Sequence, residues 1–542
     1  MKKHSFTLGL VSVLSLSISG FTVADDDVEG TNANYRSAAT GYSKLVRMAK
    51  SMGGLEKILA LQGLEFMSKG NRFEPEQSNK PAGEFVHVVD YDYHLNYGLG
   101  KQLLRTEWFN KVKYPFIEQR QFTEVINGKH GAVFGFDTII APGQAAMLST
   151  RIGARVKQNL VSSPLALIHR ASQHAEQVRF LGVKKYNKRP HQVISIPGWD
   201  QPIRLFIDVE SKLPSKAETL EDDTIYGDAK WEVSFNNWTK VGDIKVPSKI
   251  THKINGRTIN NEVRDSFALT RTLSLGLFEI PADLTVAFNA EQFAWGVRAS
   301  QWFNRFLSIG IPFDLDQRDE SSVQLVEVAP KVFHVLGFTH NSMIIEMNDY
   351  LIVVEAPLYD DRTQAIIRTI KKQWPAKPIK YVVVSHFHND HIGGIRGYGD
   401  IGATLIVGEG TKDHYEDIFE AAHTVYPDAY SLHQGVVKIE TVKPGEDLVL
   451  TDGSRNVRIF DVENRHAIGT LIPFVEDAKL VFVSDLYSPE FFPTAIPPLF
   501  IYWSVDLLAA LQPNDLGIEW MVGGHGGVSS YDEFVTKVES SL

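Results

Sequence analysis

Cysteine is absent from this 542-residue chain. That excludes disulfides, thiolate metal ligands and a lipid-modified cysteine at a leader junction. Blocks of basic charge are missing too. Lys and Arg total 55 against 65 Asp and Glu, a formal net charge of −10, and nothing in that balance points to a nucleic-acid partner. No low-complexity tract occurs, and beyond the first residues no segment is long and apolar enough to cross a bilayer. What is present is the composition of a globular protein, 43% apolar and 22% charged. The length exceeds what one ordinary core serves, which predicts two domains.

Residues 1–24 read as a secretory signal peptide. Lys2 and Lys3 supply the charged end, Phe6 to Ile18 is largely apolar, and Thr22-Val23-Ala24 offers small residues before Asp25. The expectation is an exported, soluble, periplasmic protein without a stable membrane anchor. An uncleaved anchor is the alternative, for which the apolar stretch is short of the roughly 20 residues a span requires.

Residues 25–281 read as a β-rich domain with two helical interruptions. "GGLEKILALQGLEF" (53–66) places Leu55, Ile58, Leu59 and Leu61 at near-helical spacing. "QPIRLFIDVE" alternates Ile203, Leu205, Ile207 and Val209 against Arg204, Asp208 and Glu210, as in a half-buried strand. Turn signals such as "INGKHG" and "INGRT" separate further short strands, suggesting an antiparallel sheet curled around a core. Residues 282–321 form a connector. Its aromatic "FAWGVRASQWFNRF" predicts an amphipathic helix packed between the domains; a membrane-surface helix would have only Arg298 and Arg305 as cationic groups.

From residue 322 to 542, short apolar strands alternate with helical segments, the pattern of an α/β layered domain. "MIIEMNDYLIVVEAP" reads as two strands joined at Asn348-Asp349. "RTQAIIRTIKKQW" reads as a helix with Ala365, Ile366 and Ile370 facing inward. "IKYVVVS" is a buried strand leading into "HFHNDH". There, His386 and His388 project to one side of extended chain and can reach one ion. Asp390 and His391 follow where the backbone turns into a helix, and reach a neighbouring position suited to a second ion. Each ion needs further ligands, and three more strand ends offer them: His466 after Val457–Val462, Asp485 after Leu480–Ser484, and His525 within "GGHGG".

These motifs resemble the metallo-β-lactamase superfamily in order and approximate spacing. The resemblance implies an αββα sandwich for the C-terminal domain. It assigns His386, His388 and His466 to a first metal and Asp390, His391 and His525 to a second. Asp485 matches the bridging carboxylate of glyoxalase II-like members. Three positions depart from the usual pattern: Ser385 stands for threonine, Glu355 for aspartate, and Arg465 for glycine. Arg465 is expected either to bind an anionic substrate group or to pair with Glu463. The N-terminal patterning, from "GGLEKILALQGLEF" through "VINGKHGAVFG" to "VGDIKVPSKI", resembles the half-barrels of outer-membrane lipoprotein carriers, which wrap a curved antiparallel sheet around an apolar ligand; an unrelated β scaffold is the alternative.

The implied activity is that of a dinuclear hydrolase, in which a metal-bound hydroxide attacks the carbonyl of an ester, thioester, lactone or amide. Its substrate would be a small molecule, possibly with an apolar tail. Two zinc ions suit the imidazole and carboxylate donors, with manganese or iron left open. Asp390 is the candidate catalytic group, orienting the nucleophile or relaying its proton. Alternatives are a β-lactamase, a mononuclear iron persulfide dioxygenase and a non-enzymatic periplasmic lipid-binding protein. His414, His423 and His433 fall in a polar segment and are expected on surface helix or loop. "FFPTAIPPLFIYW" (491–503) is expected either as a loop over the active-site mouth or as a patch packed on the N-terminal domain.

Overall fold

The computed structural model describes residues 34–542 apart from 138–142, 312–317, 319, 338, 434, 493 and 513–515. The expected signal peptide lies outside the described residues, as does part of the connector's acidic end.

Thirteen antiparallel strands form one open sheet in the N-terminal half. Two meanders build it. One runs outward from Gly63–Glu74 to Gly143–Ala146, the other returns from Arg179–Tyr186 to Arg257–Thr270, and the sheet joins where Gly63–Glu74 pairs with Arg257–Thr270. Buried and half-buried positions alternate along strands such as Val86–Gly98, because one face meets a core and the other is partly open. The connector helix Ser300–Ser308 touches both Gly63–Glu74 and Pro214–Asp223, which are separated by three intervening strands. Four strand intervals of a flat sheet would span about 19 Å, more than a helix is wide, so the sheet bends around this helix. Trp302, Phe303 and Phe306 from the helix join Phe66, Trp231 and Leu205 in one buried cluster. The inner face of the half-barrel is thus packed by the chain's own aromatics rather than left open along its length.

More helix is present here than the strand patterning suggests. Asn34–Met52 is a helix whose Leu45, Met48, Ala49 and Met52 are fully buried, and Ser149–Val161 and Pro164–Gln173 connect the two meanders. The "GGLEKIL" helix is only Leu55–Leu59, because the chain is already extended at Gly63.

The C-terminal half is an αββα sandwich. A seven-stranded sheet begins antiparallel and becomes parallel from Leu351–Val354 through Ile379–Val383 and Thr404–Gly408 to Lys438–Val442. A six-stranded sheet packs on it through Ile345, Val354 and Ile406 on one side and Ile459, Phe482 and Val522 on the other. Leu351–Val354 is buried at every position, as strands covered on both faces are. Helix Asp360–Gln373 covers the first sheet with Ala365, Ile366 and Ile370 inward, and carries acids in its first turn and lysines in its last, matching the helix dipole. The expected loop at 491–503 runs from Pro498 onward into a helix, Pro498–Leu511. It fulfils both expected roles, since Phe500 stacks on Phe116 of the N-terminal half at 5.4 Å and also lines the cleft described next. No helix among the described residues is long and apolar enough to cross a membrane.

Candidate metal centre

All seven sequence-derived ligands converge at the strand ends of the sandwich. His386 and His388 leave the strand ending at Val383, and Asp390 and His391 lie in the short helix Asn389–Ile392. His466 follows Asn456–Val462, Asp485 follows Leu480–Ser484, and His525 follows Trp520–Gly523. Six of the seven are buried and His525 is half-buried.

Asp485 sits at the middle. Its Oδ1 lies 3.0 Å from His391 Nε2 and 3.1 Å from His525 Nε2, and its Oδ2 lies 3.2 Å from His466 Nε2 and 3.9 Å from His386 Nε2. Three groups of candidate donors result: His386, His388, His466 and Asp485; His340, Asp390, His391 and His525; and Glu355 with His386 and His391. The outer nitrogens are already committed. His386 Nδ1 meets Ser385 Oγ at 2.9 Å, His388 Nε2 donates to the Ser78 carbonyl at 3.0 Å, His391 Nδ1 meets Glu355 at 3.0 Å, and His525 Nδ1 donates to the Thr339 carbonyl at 2.6 Å. Such partners fix ring orientation and tautomer, leaving the other nitrogen to face the centre.

The donors fit divalent cations. His388 Nδ1 is buried without a hydrogen-bond partner, and His386 and His466 bring their Nε2 atoms within 3.2 Å of each other. Unpaired inward lone pairs at that density are costly unless a cation shares them. The charges are mixed: against burial, Asp485 raises both His391 and His525, whose protons a cation would displace. Burial alone would raise Asp390 and Asp485, yet His391, with His340 at Asp390 and His525 at Asp485, holds both well below the usual carboxylate range. Burial pushes His386 down and His388 to about 3, so both are neutral, as ligation requires.

Two of the departures from the familiar pattern, Ser385 and Glu355, form one support. Glu355 accepts from Ser385 Oγ at 2.6 Å and from Ser484 Oγ, and its other oxygen meets His391. Glu355 and Ser484 both have left-handed backbone, φ 69° and 48°. That strain costs about 1–3 kcal/mol per residue, and Ser484 directly precedes Asp485. Arg465 pairs with Asp506 at 2.7 Å rather than with Glu463. His423 is a correction as well. It is buried, not on the surface, since the N-terminal turn at Gly227-Asp228 packs on Ala422 and Thr424; His433 is exposed and His414 partly covered.

Several site residues escaped the sequence reading. His340 Nε2 meets Asp390 Oδ2 at 3.0 Å, and Gln77 Nε2 donates to Asp390 Oδ1 at 2.7 Å. Burial lowers His340 to about 3, so it is neutral and donates from Nε2. Tyr114 donates to Gln77 Oε1 at 3.2 Å. His340 follows a strand end, Val332–Leu336, and the rule that found His466 applies to it. Gln77 and Ser78 lie in a polar turn of the N-terminal domain that carries no such signal. Beside Asp390 and Asp485 opens a cleft of about 230 Å³, walled by Phe116, Phe306, Ile309, Phe491, Phe500 and Trp503. No Lys or Arg is among its described lining residues.

Residues 335–525 match the family model described as the metallo-beta-lactamase superfamily. Among curated proteins, the chain is 31% identical over 74 residues to the alkyl/aryl-sulfatase BDS1 of Saccharomyces cerevisiae, and 38% identical over 77 residues to an (R)-specific secondary-alkylsulfatase of a Pseudomonas species. Each match covers 14% of this chain and only 12% of the relative. Among solved structures, a metallo-beta-lactamase from Pontibacter korlensis aligns with TM-score 0.31 and 13% identity, over 40% of this chain and 97% of that one. The metallo-beta-lactamase FIM-1 from Pseudomonas aeruginosa, in its mono-zinc form, aligns with TM-score 0.30 and 18% identity, over 42% and 97%.

Proposed function

The domain at residues 335–525 belongs to the metallo-beta-lactamase superfamily, and from that premise we propose that the chain is a two-zinc hydrolase of esters bearing an apolar group. His386, His388 and His466 would hold one cation, and Asp390, His391 and His525 the other, with Asp485 between them. The placement of Asp485, one oxygen toward each histidine group, is the observation that carries this reading. When bound, the two cations supply Lewis acidity and lower the pKa of a water toward about 7.

The chain's own residues do the rest. Gln77 and His340 grip the two oxygens of Asp390, so the carboxylate is held in place at the cleft floor, where it would orient the nucleophile. Tyr114, whose hydroxyl is kept protonated by burial and the nearby carboxylates, orients Gln77. Phe116, Phe306 and Phe500 come from the β-domain, the connector and the C-terminal domain in turn, so the apolar wall needs all three parts of the chain. That wall excludes water and favours an acyl or alkyl group over a polar one.

The substrate's reacting bond is a carboxylic ester, thioester, lactone or amide in this reading. A second reading, an alkyl sulfate ester, is favoured by the two sulfatase relatives. Incubating the zinc-loaded protein with p-nitrophenyl acyl esters and with secondary alkyl sulfates of matched chain length separates the two. Release of acid supports the first reading, and release of inorganic sulfate the second. Turnover of neither overturns both. Export to the periplasm through residues 1–24 is part of the proposal, checked by fractionating cells that express the whole chain.

A further inference from the structure

The cleft beside the histidine centre has an open part and a closed part. A file of aromatic rings leads outward from the candidate ligands. Trp503 lies 4.1 Å from His466, Phe500 4.9 Å from Trp503, Phe116 5.4 Å from Phe500 and Phe491 6.0 Å from Phe116, ring centre to ring centre. Phe491 is 39% exposed, so the file ends at the mouth. The same cleft is lined by Val88, Phe306 and Ile309, which are 0%, 1% and 4% exposed and belong to the buried core of the half-barrel. That part is closed. Polar lining stays with the ligands, since Gln77 donates to Asp390, Tyr114 to Gln77, and Asn389 to Glu74.

The connector makes the closed part. Helix Ser300–Ser308 fills the bend of the β-sheet, and Phe306, near its end, lines the cleft while packing on Trp302 at 4.9 Å. It is the bulkiest of the three side chains there. Behind it the half-barrel's interior is occupied by Trp302, Phe303 and their neighbours, and close-packed interiors leave no path for a chain. An apolar chain entering the cleft must therefore stop at this ring. The volume sets how long that chain is. The cleft, at about 230 Å³, is roughly half as large again as a ~150 Å³ apolar cavity that accommodates benzene, which leaves room for about nine carbons.

We infer that Phe306 is the stop for the apolar part of the substrate, so that the connector rather than the catalytic domain sets the chain length accepted. The substrate class is then an ester of a medium-length apolar chain. The inference rests on the proposal that this cleft serves the histidine centre, and it holds for either reacting bond, carboxylic or sulfate ester.

Calorimetric titration of the full-length, zinc-loaded protein with straight-chain alcohols, from butanol to dodecanol, tests it without requiring turnover. In the wild type, affinity rises about fourfold for each added methylene and then levels off near the length that fills the cleft. Phe306→Ala joins the space of the ring to the cleft and moves that break outward by about two carbons or more. Phe306→Leu moves it outward by less, and Phe306→Trp moves it inward. Where Phe306→Ala does not fold, the leucine and tryptophan variants decide. Affinity that climbs unbroken to dodecanol in the wild type overturns the inference, as does a break at one length in every protein, or no alcohol binding at all. The ester and alkyl sulfate assays, run on the same proteins, keep the two readings apart. A break that moves without any turnover leaves the inference standing and removes the hydrolase reading; turnover with an unmoved break does the reverse.

Discussion

The carbonyl of Ser78, in a turn of the N-terminal β-domain, accepts a hydrogen bond from His388 Nε2 at 3.0 Å across 310 positions of sequence. The same turn sends Gln77 to Asn389 and Asp390, and receives Ile468, two residues beyond His466, on the Asn79 carbonyl. The two halves of the chain are therefore not a catalyst and a separate carrier. One turn of the first half supports two of the ligand loops of the second.

Gln77→Leu tests that support. Asp390 loses one of its two grips while all seven candidate ligands stay intact. Ester turnover falls about 10–100-fold, the usual cost of removing a partner behind a metal site, and zinc content stays at the wild-type ratio. Kinetics paired with metal analysis reads both quantities.

Glu355→Gln acts from the opposite side. It loses the negative charge facing His391 Nδ1 and weakens the acceptor for Ser385 and Ser484. Affinity for the second cation drops about 10–100-fold, with the first less affected. Competition with a chelator of graded strength shows whether one cation leaves before the other.

Phe116→Ala opens the apolar wall from the β-domain side. Burying a phenylalanine contributes about 1.5–3 kcal/mol, so kcat/KM for long-chain esters falls about 10–100-fold while acetyl esters are spared. An equal loss for every chain length removes the apolar-tail assignment.

A stability prediction follows from Glu124. Burial alone would raise this carboxyl, but Arg155 and Arg151 overcome it and hold it at about 2, against 4.5 for the free group. The folded-state pKa is depressed, so its stabilisation is complete above about 4.5 and is lost as pH falls through about 2. Glu124→Gln therefore costs on the order of 3 kcal/mol at pH 7, and the gap to wild type narrows between pH 4.5 and 2. Denaturant unfolding at several pH values measures it.

What the sequence made legible follows from where each residue's partners lie. Val384 into His386 and Leu480–Ser484 into Asp485 were readable because buried parallel strands are apolar runs, and their ends gather the ligands. Helix Asn34–Met52 was also readable, since Leu45, Met48, Ala49 and Met52 keep helical spacing, but the surrounding β-pattern masked it. Gln77, Ser78 and the burial of His423 were not readable. Each depends on a turn of the β-domain meeting the sandwich hundreds of residues away, and no local pattern encodes that contact. The same holds for Arg465, whose partner Asp506 arrives on a helix that the sequence presents as an aromatic, proline-rich stretch.

The most direct test is the zinc stoichiometry of Asp485→Ala, measured by elemental analysis on folded protein beside wild type. Two ions per chain in the wild type, with both sites emptied together in the variant, is the predicted result. A variant that keeps one ion at full occupancy, or a wild type that binds only one, contradicts a shared centre built on Asp485.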